Sequence, residues 1–399
     1  MFVLAALILV TPAAASEPDT YRFLLDPRVS VEAGAVGVQS TARLLLRSLD
    51  RLDDRELADE PFQTQVAARG LRGLLIDFPL IFQTTLFVHE AVGHPVRARE
   101  AGGGAKIVGR WPLLPGGSPL ISRSRTAGWT ATDEVITVLG GYEANHALGL
   151  SVQKLLYERG SAQYQEPLLA VVNKLQAPFG AYVRDHSNPA DPAAYIEPKE
   201  DTPEFAAAFQ RSRGKPVLTT AGAPDPAMVK FFKESRLAGL WTLADPLVAE
   251  SFYHVGWSLA NMKRERELWM FTTGETRWMY GTQFNFSPLG YELYLNLYLK
   301  RGPHAANGYV RYGRPLRNNG LGFETPELLR CGRAGLGGGF DVWSQEGRGA
   351  GGSGHVLASL QLTEVFALYG RLGAKTPGYL MAQPVRSGGY GYGGVEARF

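Results

Sequence analysis

Hydrophobic and polar positions follow two different periods along this chain, and the change falls near residue 275. Before it, apolar residues recur at helical spacing. Val31–Asp53 carries Leu44, Leu45, Leu46, Leu49 and Leu52 among arginines and aspartates. Leu71–Val88 is almost wholly apolar, with Arg72 and Asp77 as its charged residues. Val135–Tyr157 and Ser235–Met262 are further predicted helices. Between them, His186–Pro226 holds seven prolines and many polar residues, which predicts a loop or insert. From Gly274 onward the period is two. Tyr291, Leu293, Leu295, Leu297 and Leu299 alternate with Glu292, Tyr294, Asn296, Tyr298 and Lys300. Phe366, Leu368 and Leu372 share one face, and Tyr369 and Arg371 the other. Val395, Ala397 and Phe399 alternate with Glu396 and Arg398. Turns such as Arg301-Gly302-Pro303 and Arg317-Asn318-Asn319-Gly320 separate these strands.

More than half of the 47 glycines lie after Gly274. Strands of about ten residues with one apolar face, one polar face and aromatic ends resemble a bacterial outer-membrane β-barrel. The resemblance covers about a third of the chain. It implies a C-terminal antiparallel membrane β-barrel of about eight strands, the smallest common closed form. Six to eight strands are legible in Arg277–Phe399, so one or two are expected to hide in Gly320–Arg330 or near the N-terminus. The terminal Phe399 looks like the signal such proteins offer to the barrel assembly machinery. Residues 2–10 form a short apolar run, broken by Thr11-Pro12 and followed by Ala13-Ala14-Ala15, which reads as a signal peptide cut after Ala15. The fold class expected is α+β. Residues 1–15 are the signal peptide, 16–273 a helical region with a proline-rich insert at 186–226, and 274–399 the barrel. The implied location is the bacterial outer membrane, with the helical region periplasmic or within the barrel.

Composition narrows this further. The single cysteine, Cys331, excludes a disulfide framework and a cysteine-rich zinc module. A net charge of +3 without a basic block gives no electrostatic support for nucleic-acid binding. Apolar residues at 45% exclude a wholly disordered chain.

The sharpest local motif is Phe87-Val88-His89-Glu90-Ala91-Val92-Gly93-His94. Imidazole nitrogens ligate zinc, and a neighbouring glutamate can take a proton from water. In H-E-x-x-H the histidines are four apart on one helix face. Here they are five apart, so a regular helix would place them roughly 140° apart. A single π-bulge would bring them together, and Gly93 and Pro95 favour a local distortion there. A second segment, Gly140-Gly141-Tyr142-Glu143-Ala144-Asn145-His146, sets Glu143 and His146 on one helix face.

The first segment resembles the H-E-x-G-H helix of zinc metalloproteases with one residue inserted. The second resembles the G-G-x-x-A-N element of site-2 intramembrane proteases. Together these cover about 65 residues. The resemblance implies zinc held by His89, His94 and Glu143, in the manner of gluzincins, with His146 as the alternative third ligand and Glu90 as general base. A second metal reading pairs Glu90 with His94 and Glu143 with His146 on facing helices, as in di-iron carboxylate sites. The histidines His186, His304 and His355 read as solvated, and His254 as packing. The expected function is an outer-membrane-embedded metal-dependent hydrolase, most readily a zinc peptidase acting on a peptide or protein. The alternative is a non-enzymatic barrel (channel, adhesin or assembly factor) with a helical plug or accessory domain.

Overall fold

The computed structural model describes residues 19–26, 30–107, 121–182, 201–261 and 265–398. The expected signal peptide, His186 and Phe399 lie outside them. Strand β1 (Thr20–Leu25) leads to helix α1 (Val31–Glu56) and the long helix α2 (Phe62–Glu100). A small hairpin follows, β2 (Gly104–Ile107) with β3 (Ile121–Ser124), then α3 (Ala131–Arg159) and β4 (Ser161–Gln163). Helices α4 (Gln165–Lys174), α5 (Gln176–Tyr182), α6 (Asp201–Ser212), α7 (Pro226–Gly239) and α8 (Pro246–Asn261) come next. Strand β5 (Glu265–Glu267) pairs with β4. The remaining strands are β6 (Phe271–Thr273), β7 (Thr276–Ser287), β8 (Gly290–Arg301), β9 (His304–Pro315), β10 (Asn318–Cys331), β11 (Ala334–Gln345), β12 (Gly349–Gln361), β13 (Phe366–Lys375) and β14 (Gly388–Arg398).

Strands β6 to β14 pair with their chain neighbours in one antiparallel sheet, and β1 adds to β14 at the far edge. The sheet therefore has ten strands, not eight, and among the described residues its edges, β1 and β6, do not pair with each other. The two additions are short and lie outside the region of clear period two, so alternation could not reveal them. Both expected hiding places hold strands: β10 runs through Gly320–Arg330, and β1 stands near the N-terminus.

Alternation in this sheet puts polar residues inside and apolar residues outside. On β8, Leu295 is 42% exposed and Glu292 0%. Tyr294, Asn296 and Tyr298 are buried with Glu292, whereas Leu297 faces out with Leu295. On β13, Leu368 and Leu372 face out, and Arg371 is buried. The inner face is wetted by protein. Helix α3 packs on it, with His146 against Tyr294 at 5.1 Å, Tyr157 against Tyr298 at 4.7 Å, and Lys154 Nζ 3.0 Å from Glu324. His355, expected to be solvated, is instead buried on this face between Arg371 and Glu324, because its strand register turns it inward.

The helices begin and end where local chemistry dictates. A capping box of Thr130 and Asp133 starts α3, and Gly160 in the left-handed conformation stops it. The predicted helix Ser235–Met262 is divided into α7 and α8 by a short 3-10 turn, Leu240–Ala244, and Pro246. Proline opens a helix readily but cannot continue one. The expected loop of 186–226 contains helix α6, whose apolar Phe205 and Phe209 are buried against α7 and β7. Arg43, Arg47 and Arg159 converge on Glu166. Burial alone would push the Glu166 carboxyl up, but the three guanidiniums outweigh it and hold it well below the usual carboxylate range. Asp19 joins the same cluster and ties the start of β1 to α1.

Candidate metal centre

Helix α2 contains two π-helical stretches, Gly73–Asp77 and Val88–Gly93. In the second, the His94 amide donates to the His89 carbonyl, so one wide turn separates the two histidines. Their rings meet edge to face, with centroids 4.9 Å apart. The bulge forms where α2 presses on α3. A methyl at Gly93 would strike the Gly140 backbone, and one at Gly141 would strike the His89 ring. Small residues on both helices permit this backbone approach. The glycine pair Gly140-Gly141 is therefore a packing surface for the histidine turn.

A chain of hydrogen bonds fixes which imidazole nitrogen carries hydrogen. Asn145 Nδ2 donates to the Thr85 carbonyl at 2.9 Å and to Asn173 Oδ1 at 2.9 Å. Asn173 Nδ2 in turn donates to the Leu169 carbonyl at 2.9 Å and to Thr85 Oγ1 at 3.0 Å. Both amides are thus oriented by their own donors, and Asn145 Oδ1 must accept. It lies 2.7 Å from His89 Nδ1, which must donate to it. His94 Nδ1 lies 2.9 Å from the Thr137 carbonyl and likewise donates. In the neutral rings, both Nε2 atoms carry lone pairs.

Both Nε2 atoms face one carboxylate. Asp201 Oδ2 is 2.7 Å from His89 Nε2 and 3.3 Å from His94 Nε2. Among the described residues, His89, His94 and Asp201 bring their ligand atoms within 4.8 Å of one another. Both histidines are buried, and Asp201 is partly so. Burial would raise the Asp201 pKa, but the imidazoles outweigh it and hold the carboxyl well below its ordinary value. Two imidazole lone pairs and a carboxylate repel one another unless positive charge sits among them. That charge is either protons on the rings or a metal ion. The donor set, two imidazoles and one carboxylate with Nδ1 atoms held by the surrounding protein, suits zinc or another first-row divalent ion.

The other sequence-predicted residues lie elsewhere. The Glu143 carboxylate is engaged by the Arg97 guanidinium, the Tyr379 hydroxyl at 3.1 Å and the Ala382 amide at 2.7 Å. It pins the segment before β14 to α3 and does not join the histidines. His146 stands against Tyr294 in a separate cavity of about 190 Å³ inside the sheet. Glu90 adjoins His89 and is half-buried.

Asp201 was not among the residues singled out from the sequence. A signal was present: Asp201-Thr202-Pro203-Glu204 ahead of Phe205-Ala206-Ala207-Ala208-Phe209 has the acidic cap, early proline and apolar run of a helix start. The Tyr142 hydroxyl, 2.6 Å from Thr202 Oγ1, holds that start beside the histidines.

No family model and no curated protein matches the sequence. Among solved structures, an anion-selective porin from Comamonas acidovorans is similar over 33% of this chain, with 18% identity and a TM-score of 0.23. The match spans 47% of that porin's length.

Proposed function

We propose that this chain is an outer-membrane protein whose sheet meets lipid with its apolar outer face, and that His89, His94 and Asp201 hold a catalytic zinc ion. The inverted sheet, apolar outside and charged inside, supports the membrane location. The observation that carries the metal centre is the convergence of two Nε2 atoms with fixed tautomers on one Asp201 oxygen. Three protein ligands are the usual number for catalytic zinc, against four in structural sites. Zinc there would supply Lewis acidity for hydrolysis, and a peptide bond is the substrate the motif favours. In this reading Glu90 is the residue next to the ligands that takes a proton from water, and Asn145 and Thr137 keep the ligand rings oriented.

Elemental analysis of detergent-purified protein tests the centre. Wild type should carry about one zinc per chain, and Asp201→Asn and His89→Ala/His94→Ala should lose it. Glu90→Gln should keep zinc and lose cleavage of a quenched fluorescent peptide library. Two irons per chain would move the assignment to a carboxylate-bridged centre. Metal-free wild type after zinc-replete purification would reduce the triad to a buried ion pair and leave the plugged, non-enzymatic barrel.

A further inference from the structure

The ten-stranded sheet leaves a seam between β1 and β6, and helices stand in it. Helix α8 packs on β7 and on the first part of α2. Helix α1 packs on the later part of α2 and on β1. The order β7, α8, α2, α1, β1 therefore bridges the two sheet edges with helices.

Helix α2 is long and apolar enough to cross a membrane, and 33% of its most apolar window is buried. The exposed remainder is a continuous face of Leu71, Leu74, Leu75, Ile76, Phe78 and Phe82, with Leu74 at 67% and Leu75 at 61%. No charge interrupts it. The charged residues of this stretch, Arg72 and Asp77, both turn inward and pair at 3.0 Å. They are five apart, and the π-helical stretch Gly73–Asp77 lies between them. Arg72 also takes Asp50 and Asp53 of α1. A water-facing helix would have no reason to withdraw both charges, because long side chains reach solvent at little cost. Intramembrane charges turn to the protein interior and pair.

We infer that the outward face of α2 from Leu71 to Phe82 contacts the hydrocarbon of the bilayer, and that α2, flanked by α8 and α1, is the part of the barrel wall that strands leave open. This rests on the membrane reading of the sheet. The occupant is lipid because the face bridges the two edges of a sheet whose own outer surface is Leu, Val and Phe: Leu295, Val310, Leu321 and Phe340 are all exposed there. One wall has one outer environment. The π-stretch then serves the wall as the second serves the histidines, by turning an i, i+5 polar pair to the inside.

Bimane fluorescence in vesicles tests this. Single cysteines are placed at Leu74, Leu75 or Leu321 in a Cys331→Ser background, labelled, and the full chain is reconstituted in dibrominated phosphatidylcholine. Leu74→Cys and Leu75→Cys should lose emission to the same extent as Leu321→Cys on the sheet, with no quenching by aqueous iodide. Quenching at Leu321→Cys with iodide access at both helix positions overturns the wall helix and leaves the membrane sheet standing. A disulfide formed between two copies at Leu74→Cys overturns it in favour of a second chain on this face. Iodide access at all three positions removes the membrane reading itself, and the inference with it.

Discussion

His89 and His94 stand five positions apart, yet their rings meet edge to face because the His94 amide reaches the His89 carbonyl across a π-turn. The same spacing recurs seventeen residues earlier along α2 at Arg72 and Asp77, which share an ion pair. In each case the extra residue widens one helical turn, and side chains that an α-helix would set about 140° apart share an inner face.

Deleting Ala91 would restore the four-residue histidine spacing of the common zinc motif. It should keep the centre, because the wide turn then closes to a regular one that still sets both histidines on one face and leaves Arg97 towards Glu143. Zinc content and thermal unfolding report this directly. Zinc lost together with stability would show that the wide turn itself is required.

Asn145→Ala should weaken zinc binding by roughly 10–100-fold, the usual effect of removing the group that orients a ligand histidine. The loss is one acceptor for His89 Nδ1. Competition with a chelating dye measures it. Unchanged affinity would mean that Asn145 does not set the tautomer.

Glu143→Ala should destabilise the protein by about 3–5 kcal/mol, because Arg97 is left buried without its main partner. The folded protein should keep its full zinc content. Denaturant unfolding and metal analysis on the same sample separate the two effects. Zinc lost at unchanged stability would return Glu143 to the ligand set.

Acid stability should depend on Glu166. Its folded-state pKa lies well below the ordinary value of 4.5, which stands for the unfolded chain. The stabilisation is therefore complete above about pH 4.5, and it is lost as pH falls through the folded value. Unfolding measured from pH 7 down to pH 3 should show stability falling only below that point. Glu166→Gln should be less stable at neutral pH and show a shallower acid decline. An equal decline in both proteins would assign the acid sensitivity to other carboxylates.

Much of the fold was legible because it rests on local periodicity. Val31–Asp53, Leu71–Val88 and Val135–Tyr157 lie inside helices, and Tyr291–Lys300 alternates as a strand. The histidine pair was legible with its condition attached: Gly93 and the five-residue spacing require a widened turn, and the structure contains one. The third partner was not. Asp201 is 112 positions from His89 and sits just past a proline-rich stretch, so no spacing rule links them. Glu143 offered itself because it shares a motif with Asn145, but Arg97, three residues beyond His94, claims it.

The sequence by itself determined the two periods, the unlike apolar and polar faces of the strands and the two candidate histidines, since each depends on residues within a turn or two of one another. Only the tertiary structure decided which carboxylate meets those histidines, that β1 joins β14, and that α2 keeps an apolar face outward in the seam. These are contacts between segments far apart in the chain. Their partners are selected by packing, such as Gly93 against Gly140, and by the neutralisation of buried charge, as with Glu143 by Arg97 and Asp77 by Arg72.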